Sequence, residues 1–288
     1  MGINFTLMRD GTFSYQPNDL SQAPIGQHVY DSFTFDLLTV NGGVPATFDV
    51  LLNRTPVADG VTAVAQVGIP LSVAANGILA AVTDADGDAG VVSAVGGLIS
   101  NVGHAVAGQY GSLTINADGG YSYMTLGALS APTGLHAHDA FTYTVSDDYG
   151  GSTTATLDIT LNRTPVLTNN VTFISTVLGG GNSISAATGA LTSDSDPDGD
   201  HLAISAVSGG TIGSPVLGAH GALTLLADGN YTYSVTNTSG AVALNGHLHD
   251  VFSYTVSDNH GGLAYANLDA VLSNHGRDLH CWKAGCGS

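Results

Sequence analysis

Apolar and polar residues alternate strictly over several stretches of this chain. Ala155, Leu157, Ile159 and Leu161 fall on one face of an extended segment, and Thr154, Thr156, Asp158 and Thr160 fall on the other. Successive side chains of a strand point to opposite faces, so the pattern predicts a half-buried antiparallel strand. Ala46, Phe48, Val50 and Leu52 repeat it, as do Ala266, Leu268, Ala270 and Leu272. Upstream, Phe141, Tyr143 and Val145 alternate with Thr142, Thr144 and Ser146, and the run Asp147-Asp148-Tyr149-Gly150-Gly151 supplies a hairpin turn. Leu113-Thr114-Ile115 and Tyr121-Ser122-Tyr123 form a second predicted hairpin through Asn116-Ala117-Asp118-Gly119. With apolar stretches around Ile69–Leu79 and Val91–Val95, each unit has roughly seven short strands, the size of an immunoglobulin-like β-sandwich.

The pattern recurs at long range. Asp10-Gly11-Thr12-Phe13-Ser14-Tyr15 returns as Asp118-Gly119-Gly120-Tyr121-Ser122-Tyr123 and as Asp228-Gly229-Asn230-Tyr231-Thr232-Tyr233. A second phrase opens at Asp31, Asp139 and Asp250, so equivalent Asp residues lie 108 and then 110 or 111 positions apart. A period this long means one small domain per repeat, strung in tandem. Leu52-Asn53-Arg54-Thr55-Pro56-Val57 and Leu161-Asn162-Arg163-Thr164-Pro165-Val166 mark the seams. The expected organisation is a partial repeat over 1–55, complete repeats over 56–164 and 165–274, and an irregular tail over 275–288. The fold expected is all-β, a tandem of antiparallel immunoglobulin-like sandwiches.

Composition sharpens this picture. All 23 acidic residues are Asp, Glu is absent, and Lys283 is the one lysine beside four arginines. Asp forms turns well and helices poorly, so surface helices are not expected. A net charge of −18 repels phosphates and excludes nucleic acid as a natural partner, whereas cations are the natural counterparts. No apolar run has the length of a signal peptide or a membrane span; the longest, Ile69–Val82, is broken by Pro70, Ser72, Asn76 and Gly77. The repeats hold no cysteine, so no disulfide stiffens them.

The succession Asp-x-Asp-Gly-Asp, Gly-x-Leu-Thr-Ile-Asn-Ala-Asp-Gly-x-Tyr-x-Tyr, Asp-x-Phe-Thr-Tyr-Thr-Val-Ser-Asp and Asn-x-x-Pro-Val resembles the VCBS and cadherin-like repeats of large bacterial RTX-type adhesins. The resemblance covers nearly all of the chain except its tail. It implies a non-enzymatic protein, extracellular or on the bacterial surface, built of calcium-stiffened sandwiches. It also implies export by type I secretion and a role in attachment or biofilm.

Asp84-Ala85-Asp86-Gly87-Asp88 and Asp194-Ser195-Asp196-Pro197-Asp198-Gly199-Asp200 set carboxylates at alternate loop positions. Calcium takes six to eight hard oxygens, and this spacing supplies three or four, with Asp147, Asp148 and Asp258 in neighbouring turns as further ligands. The competing reading is a solvated cluster of Asx turns. Calcium is preferred because carboxylates repeated without basic partners repel one another. Cadherin-like linkers commonly carry an Asp where Arg54 and Arg163 stand here. That argues against an interdomain ion at the seams and leaves each arginine to pair with a nearby carboxylate.

Other constellations carry less. His136-Ala137-His138 and His247-Leu248-His249 have the spacing of a metal pair, but repeated packing explains them as well. His275, His280, Cys281 and Cys286 fit no finger pattern, and a disulfide or free thiols explain the cysteines better. No catalytic arrangement is recognisable, so an enzyme is not expected. Cell-surface or polysaccharide binding remains open. Residues 1–55 carry only the later strands of a sandwich and would expose an apolar face. Either the sequence is cut inside a repeat, or a neighbouring molecule supplies the missing strands and 1–55 mediates self-association into a filament.

Overall fold

A computed structural model describes residues 4–17, 20–126, 131–175, 182–184, 189–236 and 247–273. The tail with its two cysteines and two histidines, His275 and His280, lies outside the described residues. Regular structure among the described residues is nearly all strand, broken by two three-residue 3-10 turns, Leu79–Ala81 and Ile99–Asn101. Among the described residues no helix is long and apolar enough to cross a membrane. Contacts divide the chain into two units. One comprises Met1–Ala65, Ile69–Gly127 and His138–Thr160; the other comprises Gln66–Gly68, Ala128–Ala137 and Leu161–Ser288.

In the first unit, one four-stranded sheet has the order Val61–Gln66, Ser152–Asn162, Ala137–Ser146, Val91–Val95. A second has the order Val106–Ala107, Gly111–Ile115, Tyr121–Thr125, Leu71–Val73. The second unit repeats this plan. Asn170–Ser175, Leu263–Ser273, Leu248–Ser257 and Ala203–Val207 form one sheet, and Asn182–Ile184, Tyr231–Val235, Gly221–Leu225 and Pro215–Leu217 the other. These are the sandwiches expected. The second unit departs from a purely antiparallel plan where Asn170–Ser175 runs parallel to Leu263–Ser273, the first strand of the repeat lying beside its last.

The period-two pattern explains the cores. Leu157, Ile159, Leu161, Tyr143 and Val145 are fully buried in the first repeat, and their counterparts Leu268, Ala270, Leu272, Tyr254 and Val256 are nearly so in the second. Burying each large side chain contributes about 1.5–3 kcal/mol. The stretch around Ile69–Leu79 is less regular than its hydrophobicity predicts. Leu71–Val73 is a strand, but the chain then turns through Asn76 at φ 67° and enters the 3-10 turn, with Ile78 dropping into the core.

The two repeated sequence phrases meet in space. Tyr123 donates its hydroxyl to Asp139 at 2.7 Å, Tyr233 donates to Asp250 at 2.7 Å, and Tyr15 donates to Asp31. Burial, reinforced by the partner carboxylate, raises the Tyr123 and Tyr233 hydroxyls and pushes Tyr15 up to about 12. Glycine is needed beside this bond. A Cβ on Gly111 would lie 2.1 Å from the Tyr123 ring, and one on Gly221 would lie 2.3 Å from Tyr233. Asp10, Asp118 and Asp228, which open the other phrase, cap their own turns by accepting from the backbone N–H two residues on, each at 3.0 Å.

Candidate metal centre

Two clusters of side chains, one in each unit, are built alike. In the first unit, the loop Asp84–Asp88 faces Asn53, Arg54, His28 and the hairpin turn that begins at Asp147. In the second, Asp196–Asp200 faces Arg163 and His136, while Asn162 reaches the turn at Asp258. Gly87 and Gly199 bend the loops at φ 89° and 88°. These are left-handed values, which keep a side chain off the turn and let the flanking carboxylates converge.

The carboxylates divide into distinct roles. Asp86 is taken by Arg54, whose backbone N–H and Nε donate to its two oxygens at 2.5 and 2.8 Å; Arg163 grips Asp198 in the same way at 2.6 and 2.8 Å. Each Nη2 also donates to backbone carbonyls, of Pro24 and Ala85 in the first unit and of Pro132 and Pro197 in the second. Burial pulls Asp86 upward, but the Arg54 bonds and charge outweigh it and hold the carboxyl below its ordinary value. Arg54 and Arg163 therefore pair with carboxylates, one of the fates open to them in the sequence.

Asp84, Asp88 and Asp147 offer oxygens that lie within 4.8 Å of one another, and so do Asp196, Asp198 and Asp200. Asp84 Oδ2 and Asp88 Oδ2 are buried without a hydrogen-bond partner, as are Asp196 Oδ2 and Asp200 Oδ2. The amide oxygens of Asn53 and Asn162 share this condition while their Nδ2 groups donate to Asp147 and Asp258, at 2.9 and 2.7 Å. Buried acceptors left without donors are rare in folded proteins. The carboxylate and amide acceptors among them are hard oxygens, the donor set that calcium takes. Asp196 shows the strain: burial raises its carboxyl, and the charges of Asp200 and Asp198 add to the rise against two opposing backbone bonds. The residues present fit a calcium ion.

Asp258 repeats the role of Asp147, accepting from two backbone N–H groups of its own turn. Asp148 stands exposed at the hairpin tip, outside both clusters. Asp194 accepts from Thr168 N–H at 2.8 Å, while its other oxygen is buried and unpartnered; the residue lines a cavity of about 460 Å³ with Asp196, Asp200 and Asp228. The amides Asn53 and Asn162 were not legible as ligands, although their recurrence in both seams was visible. The histidine pairs do not act as pairs. His136 reaches Asp200 at 3.0 Å, whereas His138 and His249 bond Asp158 and Asp269 on exposed strand faces.

A family profile described as the bacterial cadherin-like domain matches residues 53–163 and again 162–272. The chain belongs to this family. Bacterial cadherin-like domains in tandem suggest an extracellular, adhesion-type repeat protein, and cadherin-like domains generally bind calcium. Among solved structures, the chain is similar to Drosophila N-cadherin EC1-4, at 12% identity over 93% of this chain and 64% of that chain with a TM-score of 0.27. Mouse clustered PcdhgC3 EC1-3 is matched at 13% identity over 94% and 85% of the two chains, TM-score 0.31. The endo-fucoidan hydrolase MfFcnA9 of glycoside hydrolase family 107 is matched at 15% identity over 76% and 34%, TM-score 0.31. The chain spans 64% of the length of the first cadherin chains it matches. No curated protein matches it in sequence.

Proposed function

We propose that this chain is a non-enzymatic stretch of a secreted or surface adhesin of the VCBS and RTX type. Its bacterial cadherin-like repeats, taken as 56–164 and 165–274, would be stiffened by calcium into a stalk or a biofilm matrix component. The observation that carries this reading is the repeated set of buried oxygens without donors: Asp84, Asp88 and Asn53 in one unit, Asp196, Asp200 and Asn162 in the other. Asp147 and Asp258 complete each set through the turn beside it. When bound, calcium would neutralise these carboxylates and tie loop, linker and turn together. At calcium a hundredfold above its Kd, one site adds about 2.7 kcal/mol. Melting curves in calcium and in chelator are therefore expected to separate clearly, and Asp84→Asn combined with Asp196→Asn to bring them together. Coincident wild-type curves would overturn the reading. Attachment to a cell surface or polysaccharide belongs to the same proposal.

A second reading, a self-assembling filament subunit, has its own support in the N-terminal strands. Phe13 is 51% exposed, whereas Tyr121 and Tyr231 at the same place in the complete repeats are 5% exposed. Phe5 stacks on Phe33 at 4.0 Å, and Phe48 and Leu37 continue the apolar lining of an open groove of about 780 Å³. Strand addition from a second copy onto this face would join one chain to the next. Sedimentation should then show concentration-dependent polymer that deletion of 1–55 abolishes; a monomer at every concentration rules this reading out.

A further inference from the structure

We propose that His136, His260 and Asp200 form a site for a late first-row transition metal of the Zn2+ class; the corresponding group of the first unit, His28, Asp86 and Asp88, has a single imidazole. The ring nitrogens of His136 and His260 and a carboxylate oxygen of Asp200 lie within 4.8 Å of one another. His136 Nε2 faces Asp200 Oδ1 at 3.0 Å, and His260 Nδ1 faces Oδ2 at 3.2 Å. Ligands about 2.0–2.2 Å from a shared tetrahedral zinc stand at comparable separations from one another.

Two independent features point to a ligand. The Asp200 side chain is 9% exposed, and its Oδ2 has no hydrogen-bond partner despite the nearby His260 ring. Second, both ring nitrogens of His136 face acceptors, because Nδ1 lies 3.2 Å from the Leu161 carbonyl while Nε2 faces Asp200. A neutral ring has one N–H and can satisfy only one of them. With the proton on Nδ1 and donated to Leu161, the Nε2 lone pair points at a carboxylate, an arrangement relieved by a cation between them. Histidines that bind metal commonly make this second bond to a backbone carbonyl, which fixes tautomer and orientation. The competing occupant is a second proton on His136, whose pKa is raised because Leu161, Asp200 and Asp198 together outweigh the lowering effect of burial.

The first unit provides the control. His28 Nε2 faces Asp88 Oδ1 at 3.0 Å just as His136 faces Asp200, but its Nδ1 is buried without a partner. The ring tilted against it, with centroids 4.2 Å apart, is Tyr149, where His136 has His260 at 4.8 Å. Tyr149 offers no imidazole. His260 is 47% exposed on its outer side, which gives the metal a path of entry and a position for water. The site shares Asp200 with the calcium reading but differs from it in requiring ring nitrogens, which calcium does not favour, so loss of zinc binding in a histidine variant tells the two apart.

Zinc chloride titrated calorimetrically into the full chain, with and without calcium, tests it. The expected result is saturable zinc binding that falls at least tenfold in affinity in His260→Tyr. That variant copies the pairing already present in the first unit, so the fold should persist, with unchanged melting in the absence of zinc. Tyr149→His is expected to add a second equivalent. No zinc binding in either buffer, or binding undiminished in His260→Tyr, would overturn the proposal. The second outcome would assign the ion to other groups, the tail thiols among them.

Discussion

Arg163→Ala is expected to destabilise the second unit by about 3–5 kcal/mol when calcium is absent, the cost of stranding a buried charge. The Asp198 side chain is fully buried, and Arg163 supplies the charge-assisted bonds that compensate it. Without the guanidinium the Asp198 carboxylate would keep one backbone donor, the N–H of residue 163, with His136 Nδ1 3.8 Å away. Arg163→Lys should recover only part of the loss, because one ammonium cannot reach Asp198 and the Pro132 and Pro197 carbonyls as the planar fork does. Chemical denaturation of the two variants measures both effects. Calcium makes the experiment sharper. Without its arginine, Asp198 is free to join Asp196 and Asp200, with which it already clusters within 4.8 Å. The penalty in Arg163→Ala should therefore shrink in saturating calcium, and an equal penalty in calcium and chelator would show that the arginine and metal sites are uncoupled. Arg54→Ala tests the same relation at Asp86.

Asp250→Ala is expected to cost at least about 4 kcal/mol, well beyond the usual effect of one substitution. Asp250 is buried and accepts from the backbone N–H groups of Ala219, His220 and Gly221 at 2.9–3.0 Å and from the Tyr233 hydroxyl at 2.7 Å. Each donor left unsatisfied costs about 1–3 kcal/mol. The neighbouring elements cannot collapse onto the gap without pulling apart the turn before Gly221–Leu225. Asp228→Ala is the control: this carboxylate caps an exposed turn, so its loss should scarcely move the denaturation midpoint. A mild effect of Asp250→Ala would mean that these donors find other acceptors. Asp139 holds Gln109, Tyr110 and Tyr123 in the first repeat, where the same result is expected.

Together these substitutions separate kinds of aspartate that look alike in the chain. Asp228 caps a turn, Asp250 anchors a tyrosine and a loop, Asp198 balances an arginine, and Asp196 keeps an oxygen without a donor. The Asp-x-Asp-Gly-Asp spacing marked the loops as special, but it assigned the same role to every carboxylate in them. What distinguishes the roles is the partner, which lies far away in sequence: Arg163 is 35 positions from Asp198, and Ala219 is 31 from Asp250. The amides Asn53 and Asn162 were read as linker for the same reason, since their turns lie 94 and 96 positions away. The histidine spacing misled in the opposite direction. It grouped His136 with His138, whereas the fold places His136 against Asp200 and His260.

The sequence by itself determined the strands, the repeats and the location of the acidic loops. Strand alternation and turn chemistry are local properties, written within a few neighbouring residues, and a domain that occurs more than once repeats them visibly. Tertiary structure alone decided which carboxylates are neutralised by protein and which are left open to a cation. That outcome depends on burial and on donors brought from distant strands, and the free energy of a buried charge is set by those surroundings rather than by the residue type.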